Sequence, residues 1–110
     1  MSNDQKRKFD LEPRTYDFAV SCRKYCKSKK LYSNQEDVKQ LIRSSGSVAA
    51  NYIEANEALS KKDFVMRIKI CRKEAKESIL WLRLLEAPPA LISEATELMK
   101  IFGAIIEKSK

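Results

Sequence analysis

Residues 60–89, SKKDFVMRIKICRKEAKESILWLRLLEAPP, decide the fold of this chain. From Lys61 to about Ala87, the residues Phe64, Ile68, Cys71, Ala75, Ser78, Leu82 and Leu85 recur in alternating steps of four and three. That is a heptad seam, the mark of a helix packed along one stripe against other helices. Ser60, followed three residues on by Asp63, marks its start in the looser form of the capping signature. Pro88-Pro89 ends it, because the residue before a proline is pushed out of the α region. Met66, Ile70, Trp81 and Leu84 lie off the seam. One apolar stripe suffices to pack a helix into its own bundle, so a second stripe points to burial on two sides and to a further partner. These four are the expected oligomer-interface residues.

Upstream, residues 43–59 read RSSGSVAANYIEANEAL. The small residues Ser44, Ser45, Gly46, Ser47, Ala49 and Ala50 sit inside a helical pattern. A helix gives up propensity to Gly and Ser where packing compensates, so close approach of another helix is expected at this run, and Gly46→Leu should do more harm than Ala90→Leu. The pair Ser33 and Glu36 has capping-box spacing and places the start of this helix near Asn34. Its inner side is expected to carry Val38, Leu41, Ile42, Ser45, Val48, Ala49, Tyr52 and Leu59.

Pro13 suits the first turn of an earlier helix running to about Lys29. Phe18, Ala19, Cys22, Tyr25 and Cys26 form its buried face, and Lys24, Lys27, Lys29 and Lys30 crowd its negative pole. A last helix spans about Ala90 to Lys108, with a seam of Leu91, Ala95, Leu98, Phe102 and Ile105 flanked by Ile92, Met99 and Ile106. Four amphipathic helices with short connections predict an all-α, antiparallel up-down-up-down four-helix bundle. It is expected to be a single domain over residues 13–110, preceded by a flexible arm over 1–12.

Composition agrees. The chain has 110 residues, enough for one domain with a real core. Only two glycines and three prolines argue against an all-β fold, which needs many turns. No apolar run reaches the ~20 residues that span a bilayer. The basic N-terminus has no apolar stretch behind it, so no membrane association and a cytoplasmic location are expected. Cys22, Cys26 and Cys71 read as reduced, small buried hydrophobes. The chain contains no histidine. That removes the commonest general base and any Ser/His or Cys/His nucleophile pair, so no catalytic residue and no cofactor are expected.

Two clusters invite a chemical reading. Asn51, Glu54 and Glu57 share a face of the second helix, and Glu74 and Glu77 a face of the third. Carboxylates on facing helices build di-metal sites, but that architecture uses Glu-x-x-His motifs, which a chain without histidine cannot supply. Pairing with Arg43, Arg67, Arg72 or Arg83 is the expected arrangement, with Asn51, Glu54, Glu74 and Glu77 as a structural polar network and no metal. The second cluster is basic. Residues 61–83 hold eight cations and three carboxylates, and so +5 of the chain's net +7. Lys62, Lys69, Arg72, Lys73, Lys76 and Arg83 are the expected contacts to nucleic acid, RNA or DNA, because phosphate binding gains with each neutralised charge. A solvated face balanced by local carboxylates is the alternative.

Residues 44–85, SSGSVAANYIEANEALSKKDFVMRIKICRKEAKESILWLRLL, and more weakly DLEPRTYDFAV at 10–20, resemble a known family. The run Ser47-Val48-Ala49-Ala50-Asn51-Tyr52-Ile53-Glu54-Ala55 and the following Ser60 to Phe64 carry the likeness. The chain is similar to the bacterial four-helix bundle proteins encoded in intervening sequences of 23S rRNA genes, a family related to the accessory protein of diversity-generating retroelements. The resemblance implies a soluble ring-like homopentamer without established enzymatic activity. For the retroelement relatives it implies binding of nucleic acid and of a reverse transcriptase. The chain departs from the family at LLEAPPALISEAT, residues 84–96, where the usual connection is longer. The expected function is therefore a non-catalytic oligomeric protein that binds nucleic acid through a basic surface. The alternative is a scaffold that docks a protein such as a reverse transcriptase.

Overall fold

The computed structural model describes residues 10–28 and 35–110. Four helices make up the fold: α1 Leu11–Ser28, α2 Glu36–Asn56, α3 Lys61–Leu84 and α4 Pro89–Lys108. There is no strand among the described residues. Each helix packs on its neighbours in sequence, and α1 closes the ring against α4, while the backbones of the diagonal pairs stay apart. The chain is an antiparallel four-helix bundle.

Side-chain contacts fix the register. Along α2 and α3, Arg43 meets Glu74 at 3.1 Å, Ser44 meets Ser78 at 2.8 Å, Cys71 reaches the Val48 carbonyl at 3.5 Å, and Arg67 meets Asn51 at 3.1 Å. From residues 43–44 on to 51 of α2, the partners on α3 run back from residues 74–78 to 67, so the pair is antiparallel. Arg14 of α1 grips Glu94 of α4 through two bonds of 2.8 Å, and the Tyr25 hydroxyl donates to the Leu85 carbonyl at 3.0 Å. These bonds tie the short α1 to the end of the bundle where α3 gives way to α4.

The seam read from α3 is the core. Ile68, Cys71, Ala75, Ser78 and Leu82 are fully buried, with Phe64 and Leu85 half-buried at the ends. Phe18, Ala19, Cys22, Tyr25 and Cys26 of α1 join it, as do Ala95, Leu98 and Phe102 of α4. Burial pushes the Cys22 and Cys71 thiols up to about 12 and raises Cys26 as well, so all three behave as small apolar groups.

The structure departs from the sequence reading at several ends. Helix α1 starts at Leu11, with Pro13 still in its first turn, so two residues assigned to the arm are helical. Residues 1–9, Lys29, Lys30 and the capping residue Ser33 lie outside the described residues. Gln35 occupies the N-cap of α2 and makes no side-chain cap bond. Leu59, expected inside, is 99% exposed, because α2 has ended by Asn56 and the chain turns there. On α4 it is Ile106 rather than Ile105 that is buried.

Helix α3 stops at Leu84, three residues short of expectation, and its stop has a clear mechanism. Glu86 takes a left-handed conformation with φ 57°. The Ala87 N–H then bonds the Leu82 carbonyl at 2.9 Å, and the Glu86 N–H bonds Arg83 at 3.1 Å. This is a Schellman ending with Glu where Gly is usual. Pro88 follows as the N-cap of α4 and Pro89 as its first residue, where a missing N–H costs nothing. A connection this short holds α3 and α4 side by side.

The small-residue run does two different jobs. At Ser44 it permits close helix approach, since Ser44 and Ser78 are both fully buried and 2.8 Å apart. At Gly46 the neighbour is a side chain. A Cβ there would lie 3.1 Å from the Arg23 guanidinium, which crosses from α1 to donate to the Ile42 carbonyl at 3.2 Å and also bonds Ala19 at 3.1 Å. Gly46→Leu is expected to dislodge that guanidinium. Overpacking of about 1–3 kcal/mol, less up to about 1 kcal/mol of regained helix propensity, leaves a net loss near 1 kcal/mol. Ala90→Leu, at an exposed position in α4, should stay within about 0.5 kcal/mol. Urea unfolding of both variants checks this, and equal midpoints would contradict it.

Candidate nucleic-acid interface

Because the seam of α3 points inward, residues half a turn away must face water. Lys62, Lys69, Arg72, Lys73, Lys76 and Arg83 do so, and all six are exposed. None of their side chains makes a hydrogen bond or ion pair with another described residue. Their charge is thus left for the solvent or a ligand. Neighbouring α4 adds a cation that the sequence reading missed. Arg72 and Lys76 face Lys100 across an open groove of about 380 Å³ between the two helices, together with Met99 and Gly103. Nothing lies within 4 Å of where a Gly103 Cβ would sit, so the groove floor there is open. The signal for Lys100 was present in the sequence: folding α4 back on α3 about the short connection sets residue 100 opposite residues 72–76. At the far end of the groove, Glu107 is held 3.0 Å from Lys110.

The expected polar network divides in two. Asn51 donates to the Ser47 carbonyl and hydroxyl, each at 3.0 Å, and accepts from Arg67 at 3.1 Å. Glu74 and Glu77 instead meet Arg43, at 3.1 and 3.4 Å, and Gln40 accepts from Arg43 at 3.0 Å. Glu54 is exposed and stands apart from both groups. Burial raises the Glu74 carboxyl above the ordinary range, and the adjacent Glu77 adds to this against the opposing pull of Arg43. No group of three metal-ligating side chains gathers among the described residues. The arrangement locks α2 to α3.

The second apolar stripe is only partly as read. Met66 and Leu84 are 47% and 55% exposed, with Ile70 half-buried between them. Leu80, which the sequence reading passed over, belongs with them at 48%. Trp81 is turned further inward. It packs against the core of its own bundle, and its indole N–H is covered without a hydrogen-bond partner.

Residues 7–105 match the sequence model of the family described as 23S rRNA-intervening sequence protein. The chain belongs to this family. A crystal structure of a protein of unknown function from the S23 ribosomal protein family of Bacteroides thetaiotaomicron is similar to it, with a TM-score of 0.77 and 29% sequence identity. The likeness covers 88% of this chain and 98% of that one. No curated protein matches the chain. In this member of the 23S rRNA-intervening sequence family, the matched region takes in all of α1, α2 and α3 and most of α4, so the basic face lies within it. No helix among the described residues is long and apolar enough to cross a membrane.

Proposed function

We propose that this protein is a non-catalytic, cytoplasmic, oligomeric bundle that binds RNA or DNA through the basic face of α3 and its groove with α4. The observation that carries this reading is the set of six exposed α3 cations, unengaged among the described residues and joined by Lys100 across the groove. Exposed cations at several spacings along a rigid helix contact phosphates without reading bases, so binding is sequence-tolerant. The sequence resemblance to a family related to the retroelement accessory proteins supports the same reading, and it makes a ring-like homopentamer the expected assembly. A ring repeats the patch around its axis and strengthens the field that attracts a polyanion. The lack of histidine and the three buried thiols with raised pKa favour a non-catalytic role.

Replacing Lys69, Arg72 and Lys76 together by Gln should weaken RNA and DNA binding alike, by about tenfold or more at low salt. The slope of log affinity against log salt should become shallower by about 2–3, close to one per lost phosphate contact. Fluorescence anisotropy with labelled single- and double-stranded oligonucleotides measures both. Absence of binding by the unmutated protein at low salt would overturn the proposal. The better account would then be a scaffold docking a protein such as a reverse transcriptase, a reading that the exposed Met66, Leu80 and Leu84 among the cations favour.

A further inference from the structure

A closed ring is built from a head-to-tail contact between two different surfaces. The outward stripe of α3 has another property. Met66, Ile70, Lys73, Glu77, Leu80 and Leu84 follow one another in steps of four and three, a second heptad seam on the side of α3 away from the core. This seam is symmetric about Ala75. Met66 and Leu84 lie nine residues to either side, Ile70 and Leu80 five, and Lys73 and Glu77 two. Reversing the helix therefore sets apolar against apolar at both ends and cation against carboxylate in the middle.

We propose that this stripe docks a second copy of the chain, α3 against α3, antiparallel about a two-fold axis at the level of Ala75 but on the opposite face of the helix. The proposal rests on reading the stripe as a self-association surface, and it assigns Met66, Ile70 and Leu84 to a two-fold contact rather than to the ring. Three observations support it. The first is charge complementarity: the Lys73 side chain has no partner among the described residues, and Glu77 is half-exposed, held only by a 3.4 Å contact to Arg43 and repelled by the adjacent Glu74 carboxyl, so each is available to the other across the axis. The second is shape. Met66, Lys69, Ile70 and Lys73 form part of the lining of one open depression, which runs on to Lys61 and Ser109, and Lys73, Lys76, Glu77 and Leu80 form most of the next. Spacings of three, four and seven are those of the four-residue hole that accepts a knob from a facing helix. The third is reach. The stripe from Met66 to Leu84 runs about 27 Å along a straight helix, long enough for several layers of contact. Nucleic acid is a poor occupant of the seam itself, since Glu77 and four apolar side chains stand in it.

Lys69, Lys76 and Arg83 border one edge of the seam, where Lys76 lies beside its own copy and Lys69 near Arg83 of the second copy. Their repulsion keeps the pairing weak and makes it tighten as salt rises from low to physiological.

The test is sedimentation equilibrium of the complete chain without nucleic acid, so that it reads self-association apart from the proposed binding activity. Lys73→Glu puts carboxylates on both sides of each charge layer, and Glu77→Lys puts ammonium groups there. Each variant alone should associate about tenfold more weakly than the unmutated chain. Mixed one to one, the two variants restore opposite charges in both layers, and association should return. Because Glu77 also touches Arg43, Leu80→Lys is the second probe, expected to weaken association while helicity and melting stay unchanged. A monomer of 12.7 kDa for the unmutated chain would overturn the proposal. So would a mixture that associates no better than its components, or association indifferent to Leu80→Lys.

Discussion

Phe102→Ala is expected to lower the free energy of unfolding by about 3–5 kcal/mol. The ring is fully buried at the middle of the α4 seam. It also faces the Tyr52 ring of α2 with centroids 6.3 Å apart and planes tilted by 38°. Helix α4 packs along α3 and more sparingly on α1, and the Phe102–Tyr52 pair spans the diagonal to α2. Truncation therefore removes transfer energy and an aromatic contact, and leaves a cavity that rigid helices on three sides cannot close. A domain of this size is stable by about 5–15 kcal/mol in total, so at least about a fifth of the margin goes. Urea denaturation monitored by helicity measures the loss. Ile105→Ala, next to it on α4 but half-buried, is the control and should cost clearly less. Equal losses at the two positions would show that Phe102 is not the residue holding α4 in place.

The seams of α1, α3 and α4 were legible because a helix buried on one side must repeat its apolar residues every three or four positions, and these sequences do. Where periodicity ends, the reading failed. Leu59 continues the apolar spacing of α2 in sequence, but by then the backbone has turned and the side chain points to water. The end of α3 was misplaced because the apolar pattern runs on through Leu85 and the two prolines lie beyond it. The stop itself depends on Glu86 adopting φ 57°, which no residue type at that position announces.

The basic face was legible for a related reason. Once the α3 seam is known, the outward residues follow, and all six of the expected cations are exposed. Lys100 needs the α3–α4 register, a pairwise fact that a single-helix reading does not hold. The polar residues were harder. Asn51, Glu54, Glu74 and Glu77 were grouped by face, yet Asn51 and Glu74 belong to separate clusters and Glu54 to neither, because the two arginines that organise them sit at different levels of the bundle. Gly46 shows the same limit. Its small size was legible, but the Arg23 guanidinium that needs the space comes from the neighbouring helix α1.

Ser78→Leu is expected to destabilise by about 3 kcal/mol, the upper end for overpacking a filled core, whereas Ser78→Ala should stay within about 1 kcal/mol. The Ser78 hydroxyl donates to the Glu74 carbonyl at 2.9 Å, so the 2.8 Å bond to Ser44 must be donated by Ser44. With alanine at 78, the Ser44 hydroxyl still has the Leu41 carbonyl at 3.4 Å, and the added helix propensity offsets part of the lost bond. Leucine has no such refuge. Both serines are fully buried, and two hydroxyl oxygens in contact leave no volume for three further carbons. Helices α2 and α3 must move apart at the level where Arg43 holds Glu74 on one side and Cys71 meets Val48 on the other, so those contacts stretch together. At roughly 4–8 °C per kcal/mol for a domain near this size, the leucine variant should melt about 12–24 °C below the unmutated protein, and the alanine variant within about 8 °C of it. Thermal unfolding followed by circular dichroism separates the two. Equal melting temperatures for the two variants would mean that the α2–α3 contact is slack enough to take a leucine, and that smallness at Ser44 and Ser78 is not what sets the spacing of these helices.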